Sequence, residues 1–379
     1  MTTTIDNEQK TLNVPNLRFP EFEGEWQENY VNEICNEFKS GKAIKADLIL
    51  DVGTYPVFGG NGLRGYTSTY NHDGLFVLIG RQGALCGNVR SVIGKTYITE
   101  HAIAVNGNNK SDTNFLHYLF LQMDLGRFSD QSAQPGLAVN KLLKLKVITP
   151  RIDEQRKIAN LLRLLDERIA TQNKIIEKLE SLIKGISNRL LYADNSMSIR
   201  IEEMLIERSE RTKKNNQYEI LSSTVNGIFS QRDYFSKDIA SDNNVGYKIV
   251  HLHDIVLSPQ NLWMGNINFN DKFDIGIVSP SYKVFSIADG FDKKYVAALL
   301  KTHHALYNYM LVSEQGASTV RRNLNYEAFE QLVFKIPSLN KQQEIGHVIS
   351  LLKSQLENAN LLIKTYNSQK QYLLRQMFI

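Results

Sequence analysis

The sequence predicts an α+β chain: two mixed α/β domains joined by two long antiparallel coiled-coil helices, the plan repeated once with pseudo-two-fold symmetry. Three observations predict it. The stretch Val147-Ile-Thr-Pro-Arg-Ile-Asp-Glu-Gln-Arg-Lys-Ile158 returns as Phe334-Lys-Ile-Pro-Ser-Leu-Asn-Lys-Gln-Gln-Glu-Ile345, an offset of 187 that also pairs Gln155 with Gln342. Each copy opens a long apolar stripe at heptad spacing. The segments before the two stripes carry short strand and helix patterns in the same order. At this offset Tyr192 pairs with Ile379, so a unit of 192 residues is followed by one of 187.

The elements divide as residues 1–150, a first globular domain; 151–192, a first long helix; 193–337, a second domain; and 338–379, a second long helix. In the first helix Ile158, Leu162, Leu165, Ile169, Gln172, Ile176, Leu179, Ile183, Ile186 and Leu190 fall four and three apart. The same positions moved by 187 are Ile345, Ile349, Leu352, Leu356, Ala359, Ile363, Tyr366, Lys370, Leu373 and Met377. A single stripe of this kind is the core face of any surface helix, whereas two equal stripes at matched positions predict mutual packing. Pro150 and Pro337 end the preceding strands, and Asp153 and Glu154 suit the first turn of the first helix. At ~1.5 Å per residue the first helix carries the chain about 60 Å, so the second has to run back along it.

The first domain offers Leu75–Ile79, Tyr97–Thr99 and Ala102–Val105 as short strands and Phe115–Met123 as a helix, among Gly, Asn and Asp turns. The second offers Asp254–Ser258, Gly276–Ser279 and Tyr282–Ile287, then a helix from Tyr295 to Leu300. Gly87-Asn88 stands opposite Gly265-Asn266. With 42% hydrophobic and 22% charged residues the chain is a folded protein, and no run of apolar residues is long enough to span a membrane. The N-terminus lacks a basic-then-apolar leader pattern, which makes the cytoplasm the expected location. Two cysteines, Cys35 and Cys86, build neither a disulfide framework nor a four-thiolate zinc site.

Several motifs together resemble one family. Phe19-Pro-Glu-Phe-Glu-Gly-Glu-Trp26 and the Pro150…Glu154-Gln155…Ile158 helix entry resemble the specificity subunit of type I restriction–modification systems. So do Asp254-Ile-Val-Leu-Ser-Pro259, Trp263-x-Gly265-Asn266 and Gly276-Ile-Val-Ser-Pro-Ser-Tyr282. The second helix entry departs from the pattern, with Lys341-Gln342 in place of Glu154-Gln155. The resemblance implies a DNA-recognition subunit without catalysis of its own. Two target recognition domains would each read one half of a bipartite, asymmetric sequence in double-stranded DNA, with the helices setting the spacer. The implied partners are two DNA-adenine methyltransferase subunits and two ATP-dependent restriction/translocase subunits. The cofactors, S-adenosylmethionine and Mg2+ with ATP, would belong to those partners and none to this chain.

The residues agree that chemistry lies elsewhere. Gly94-Lys95-Thr96 ends like a phosphate loop, but the first glycine of that motif falls on Val89. No Pro-Pro dipeptide is present, so the Asn/Asp-Pro-Pro-aromatic signature of amino-methyltransferases is missing. His251-x-His253 and His303-His304 lack companions at ligand spacing, and no metal site is expected. Cys86 beside Arg81 reads as a small apolar residue rather than an activated thiolate.

DNA contact is suggested by local charge. Residues 38–95 hold seven basic and three acidic side chains among Gly59-Gly-Asn-Gly62 and Gly80-Arg-Gln-Gly83. Glycine loops let backbone approach phosphates, and Arg, Gln and Asn pair with guanine and adenine edges. The candidates are Lys39, Lys42, Lys45, Asn61, Arg64, Arg81, Gln82 and Arg90 in the first domain. In the second they are Arg232, Gln260, Asn261, Lys283, Arg321 and Arg322, the last two following a Gln315-Gly-Ala-Ser-Thr319 loop that matches Gln134-Pro-Gly136. Arg163, Arg168 and Lys174 on the first helix are candidate partner contacts. The rivals are a stand-alone DNA-modifying or DNA-cleaving enzyme and a coiled-coil scaffold with protein-binding ends. The net charge of +4 is itself uneven: residues 151–192 have nine basic and six acidic groups, and 338–379 have five and two. The two globular parts are each one charge negative.

Overall fold

A computed structural model describes residues 12–130, 135–190, 197–234, 243–315 and 321–379. The chain divides into two compact units, residues 1–173 with 361–379, and residues 174–360.

The first unit contains β1 (Gln27–Tyr30), α1 (Val31–Ile34), β2 (Cys35–Ser40), β3 (Tyr55–Gly59), β4 (Gly62–Thr67), β5 (Leu75–Gly80), β6 (Val89–Ile93), β7 (Tyr97–Ile98), β8 (Ala102–Gly107), α2 (Thr113–Gln122), α3 (Val139–Leu142), β9 (Lys146–Thr149) and the first part of α4 (Ile152–Leu190). Its main sheet is antiparallel in the order β2-β8-β5-β6, beside a three-stranded sheet β4-β3-β7 in which β3 and β7 run parallel. The unbroken apolar run of β5 has a direct cause: both faces of the sheet are covered. Val77 and Ile79 enter the core with α2, Ile158 and Leu162, while Phe76 and Leu78 face a second cluster with Val92, Ile98 and Ala104. The chain's C-terminal end completes the first core, with Leu373, Leu374, Met377 and Phe378 buried there and Phe378 stacked 5.3 Å from Phe115.

The second unit contains β10 (Met197–Arg200), α5 (Ile201–Met204), β11 (Leu205–Glu207), β12 (Leu221–Thr224), β13 (Gly227–Ser230), α6 (Gln231–Tyr234), β14 (Lys248–His251), β15 (Ile255–Leu257), β16 (Ile267–Phe269), β17 (Ile275–Val278), β18 (Lys283–Ile287), α7 (Lys293–Leu299), α8 (His303–Leu311), β19 (Ser313–Gln315), β20 (Arg322–Leu324), α9 (Tyr326–Glu330), β21 (Val333–Ile336) and the first part of α10 (Leu339–Gln376). Its sheet β11-β18-β15-β16 repeats the order of the first unit's sheet. The pairing β1–β9 likewise recurs as β10–β21, both antiparallel. Glu33 and Glu203 each accept a backbone N–H three residues earlier, at 2.8 and 2.9 Å. Asp112 and Asp292 cap α2 and α7 from the same position.

The aligned glutamines explain why the helix entries repeat. Gln155 is buried; its Nε2 donates to Pro150 O at 2.8 Å and Lys110 O at 3.0 Å, and its Oε1 accepts from Asp112 N and Ser111 Oγ. Gln342, also buried, donates to Pro337 O at 2.9 Å and accepts from Asp292 N at 3.1 Å. Each glutamine therefore ties a helix entry to the helix cap on the sheet. Where the entries differ, so do the contacts. Glu154 accepts two bonds from Arg18, both 2.8 Å, and one from Trp26 Nε1 at 3.3 Å, linking the opening motif to α4. Lys341 pairs instead with Glu344.

Within the first unit α4 and α10 run antiparallel: Asp166 pairs with Lys370 at 2.6 Å, and Ile158 shares a core with Met377. Within the second, Ile186 joins the core that holds Ile345 and Ile349. Lys370, the charged exception in the expected stripe, thus has its partner on the facing helix. Tyr118 OH donates to the same Asp166 at 2.9 Å. No helix among the described residues is long and apolar enough to cross a membrane.

Candidate nucleic-acid interface

In the first unit the tip of the β3–β4 hairpin is the hub. Gly59 pairs with Gly62 across the turn, leaving Gly60 and Asn61 at its end. Gly62 has φ +112°, which favours glycine, and a Cβ there would meet the Arg90 guanidinium, which would have to shift. A Cβ on Gly60 would meet His101 O at 2.7 Å and Gly80 Cα at 3.3 Å. The side chain of Arg64 lies against Gly59. The β5–β6 loop is pinned on both flanks: Gly80 N donates to Asn88 O at 2.8 Å, and Leu137 N to Arg81 O at 2.9 Å. Gln82 bridges to Gly136 and meets His101 Nδ1 at 3.1 Å.

The structure thus gathers Asn61, Arg64, Arg81, Gln82 and Arg90 around one glycine turn. Lys42 is attached beside it through its backbone N–H, which donates to Ile98 O, with its side chain exposed. Lys45 is exposed at the start of the short 46–48 turn. Lys39 is exposed on β2 and paired with Glu37 at 3.1 Å. Gln134 lies outside the described residues.

In the second unit Gln260 and Asn261 occupy the loop between β15 and β16, which corresponds in sheet order to the loop holding Arg81 and Gln82. Arg322 N donates to Gln260 O at 3.1 Å, and its guanidinium lies 4.5 Å from the Trp263 ring centre. Arg321 is exposed next to it; residues 316–319 of the preceding loop lie outside the described residues. Arg232 is exposed on α6, next to β12 and β13. Lys283 is placed differently from an open cation: Nζ bonds both oxygens of Glu207 at 2.9 Å and lies 4.1 Å from the Tyr326 ring centre. Its charge is compensated inside the fold.

Two residues that the sequence did not offer as DNA contacts shape this face. Trp263 carries the Arg322 stack. Lys301 Nζ donates to Gly265 O at 2.7 Å and Val225 O at 3.3 Å, tying the β15–β16 loop to the turn of the β12–β13 hairpin. Burial, aided by the nearby Lys353 charge, pushes the Lys301 pKa down to about 8. Ser223, Asn266, Asn268 and Tyr282 join the same hairpin to β16 through a buried network at 2.7–3.1 Å. The only sequence signal for Trp263 was its place in a family motif; Lys301 has none, because a lysine after a short helix is ordinary.

The remaining candidates have plain surroundings. Gly94-Lys95-Thr96 connects two strands, with Lys95 over Tyr70, rather than opening a helix. His251 pairs with Glu210 at 2.7 Å, and His253 stacks on Phe269. Burial and then Asp130 raise the Cys86 thiol pKa, opposing thiolate formation. On α4, Arg163 is bonded to Glu167 and Asn160. Arg168 lines a shallow hollow with Leu164, Thr171 and Tyr366, and Lys174 is exposed.

Comparisons with known proteins agree with this arrangement. Residues 23–181 match the family model described as Type I restriction modification DNA specificity domain. The chain is similar to the Type I restriction enzyme EcoprrI specificity subunit of Escherichia coli, 42% identical over 154 residues, 40% of this chain and 38% of that protein. It is also similar to a putative type I restriction enzyme specificity subunit of Haemophilus influenzae, 27% identical over 147 residues, 38% of this chain and 37% of the relative. These matches span under two-fifths of either relative. A crystal structure of a type I restriction–modification system S subunit from M. genitalium covers 97% of this chain and 99% of its own, with a TM-score of 0.70 at 16% identity. The family-model match lies over residues 23–181, and the fold match extends over both units.

Proposed function

We propose that the chain is the DNA-recognition subunit of a type I restriction–modification complex and catalyses nothing alone. Each unit reads one half of a bipartite, asymmetric duplex target, through the glycine turn and arginines in the first and the Gln260–Arg322 loops in the second. The observation that carries this is the repeat itself. One strand order is built twice, and the polar loops mounted at corresponding places differ in chemistry, arginine-rich in one unit and amide-rich with a Trp–Arg stack in the other.

In this reading α4 and α10 fix the spacer between half-sites. They also dock two DNA-adenine methyltransferase subunits, with Arg163, Arg168 and Lys174 among the contacts and exposed Leu164 and Ile175 beside them. Two ATP-dependent restriction/translocase subunits join through the methyltransferases. S-adenosylmethionine and Mg2+ with ATP are bound by those partners, and the complex works in the cytoplasm. The test is binding of duplex libraries by the chain with its methyltransferase at about 0.15 M salt, together with mapping of methylated adenines in cells. Two half-sequences at a fixed spacing are expected. Equal binding to all duplexes would leave the scaffold reading, and methylation or cleavage by the purified chain alone would establish an enzyme.

A further inference from the structure

Buried polar atoms without a partner are uncommon in folded proteins, and each calls for a cause. Among the described residues six side-chain N or O atoms are in this state: Arg90 Nε, Thr96 Oγ1, Thr99 Oγ1, Glu100 Oε2, His117 Nδ1 and Asn261 Oδ1. Four of the six fall between residues 90 and 100, in β6 and the segment that links it to β8. Arg90 is the strongest. It sits on β6 opposite Leu78, and its side chain makes no hydrogen bond or ion pair among the described residues. Its Nε is shut off from solvent and its Nη1 occupies the space that a side chain on residue 62 would take.

A half-buried guanidinium without an acceptor is an unsatisfied donor set and an uncompensated charge. The stem leaves a paired strand, Nε is enclosed, and the two terminal nitrogens are left to meet a ligand. That presents a planar fork rather than a point charge. Phosphates are served well by exposed, mobile side chains such as Lys42 and Lys45. A recessed fork suits two acceptors at one set spacing, which in the major groove is the O6/N7 edge of guanine.

We infer that Arg90 reads a guanine in the half-site of the first unit, and that Gly62 is the positioning residue that makes room for the fork. This rests on the DNA-recognition reading above. The experiment uses the chain with its methyltransferase partner and compares wild type with Arg90→Lys, Arg90→Gln and Gly62→Ala on randomised duplexes at several salt concentrations. Arg90→Lys keeps the charge and loses the fork, so discrimination at one base position of one half-site should fall by about 5- to 150-fold. Arg90→Gln should relax the same position or shift it toward adenine. Gly62→Ala should relax it as well, by displacing Nη1. The other half-site is the internal control for folding and should be unchanged.

A uniform loss across all sequences, with the salt slope reduced by about one charge, identifies a phosphate contact and overturns the assignment. An unaltered base preference in Arg90→Lys and Arg90→Gln overturns it too. A wild-type complex that discriminates no sequence at all sinks the recognition reading and this assignment together, an outcome distinct from either of the others.

Discussion

The two buried glutamines allow a matched pair of perturbations within one chain. Methionine has nearly the length and shape of glutamine and removes every polar atom, so Gln155→Met and Gln342→Met delete hydrogen bonds with little change in packing. Gln155 makes four bonds and Gln342 two. At about 1 kcal/mol for each buried bond, the losses are about 4 and about 2 kcal/mol. For units of this size that is roughly 8–16 °C against 4–8 °C in unfolding midpoint. The chain has two tryptophans, and each unit holds one, Trp26 and Trp263. Fluorescence-detected urea unfolding in Trp263→Phe and Trp26→Phe backgrounds therefore follows each unit separately. Gln155→Met should lower the Trp26 transition about twice as far as Gln342→Met lowers the Trp263 transition. Equal shifts, or the larger shift from Gln342→Met, would refute the view that these side chains stabilise each unit through their bonds to the helix caps.

Three further outcomes are expected. Lys370→Met leaves Asp166 without its cation at a seam where both side chains are partly exposed, so the cost should be about 1 kcal/mol; a double-mutant cycle with Asp166→Asn showing no coupling would contradict the pairing. Lys301 has a folded pKa of about 8 against ~10.4 unfolded, so between those values the unfolded chain binds more protons and wild-type stability should rise with pH relative to Lys301→Met. Urea midpoints from pH 7 to 10 give the sign, and a difference that is flat or falls would count against it. Inserting about one heptad in register into both α4 and α10 adds ~10 Å and should lengthen the tolerated spacer by about three base pairs, leaving both half-sequences as they were. Altered half-sequences with an unaltered spacer would remove the helices from that role.

The helices and the repeat were legible because their signals are local and periodic. Heptad spacing, the prolines at the strand ends and the Gln155–Gln342 match all lie within short windows. What the glutamines do was not legible, since Asp112 and Asp292 lie 43 and 50 residues away in the chain. Lys370 read as a flaw in the stripe for the same reason; Asp166 belongs to the other helix. At the candidate interface, glycines next to arginines in sequence pointed to a group that the hairpin does assemble. Lys283 looked equally open, yet Glu207, 76 residues earlier, takes up its charge. A basic residue in a strand carries no local mark of whether an acid waits on the next strand. Lys301 shows the converse: its importance rests on two carbonyl groups, which have no sequence signature at all.

The repeat also separates stability from specificity. Positions that match between the units are buried and bonded: the glutamines at the helix entries, the aspartate caps of α2 and α7, and the order of the four-stranded sheets. Most of the candidate contact positions, by contrast, are half-buried or exposed, and several sit on loops, where substitutions away from packing and hydrogen-bond networks cost little. Arg90 and Gly62 lie at the boundary, on packed strands where Arg90 Nε is left unsatisfied. An unsatisfied buried donor costs the fold of the free protein, and a ligand that supplies the missing acceptor offsets that cost. The unsatisfied atoms are therefore better guides to what each unit binds than the exposed lysines, whose charges water already solvates.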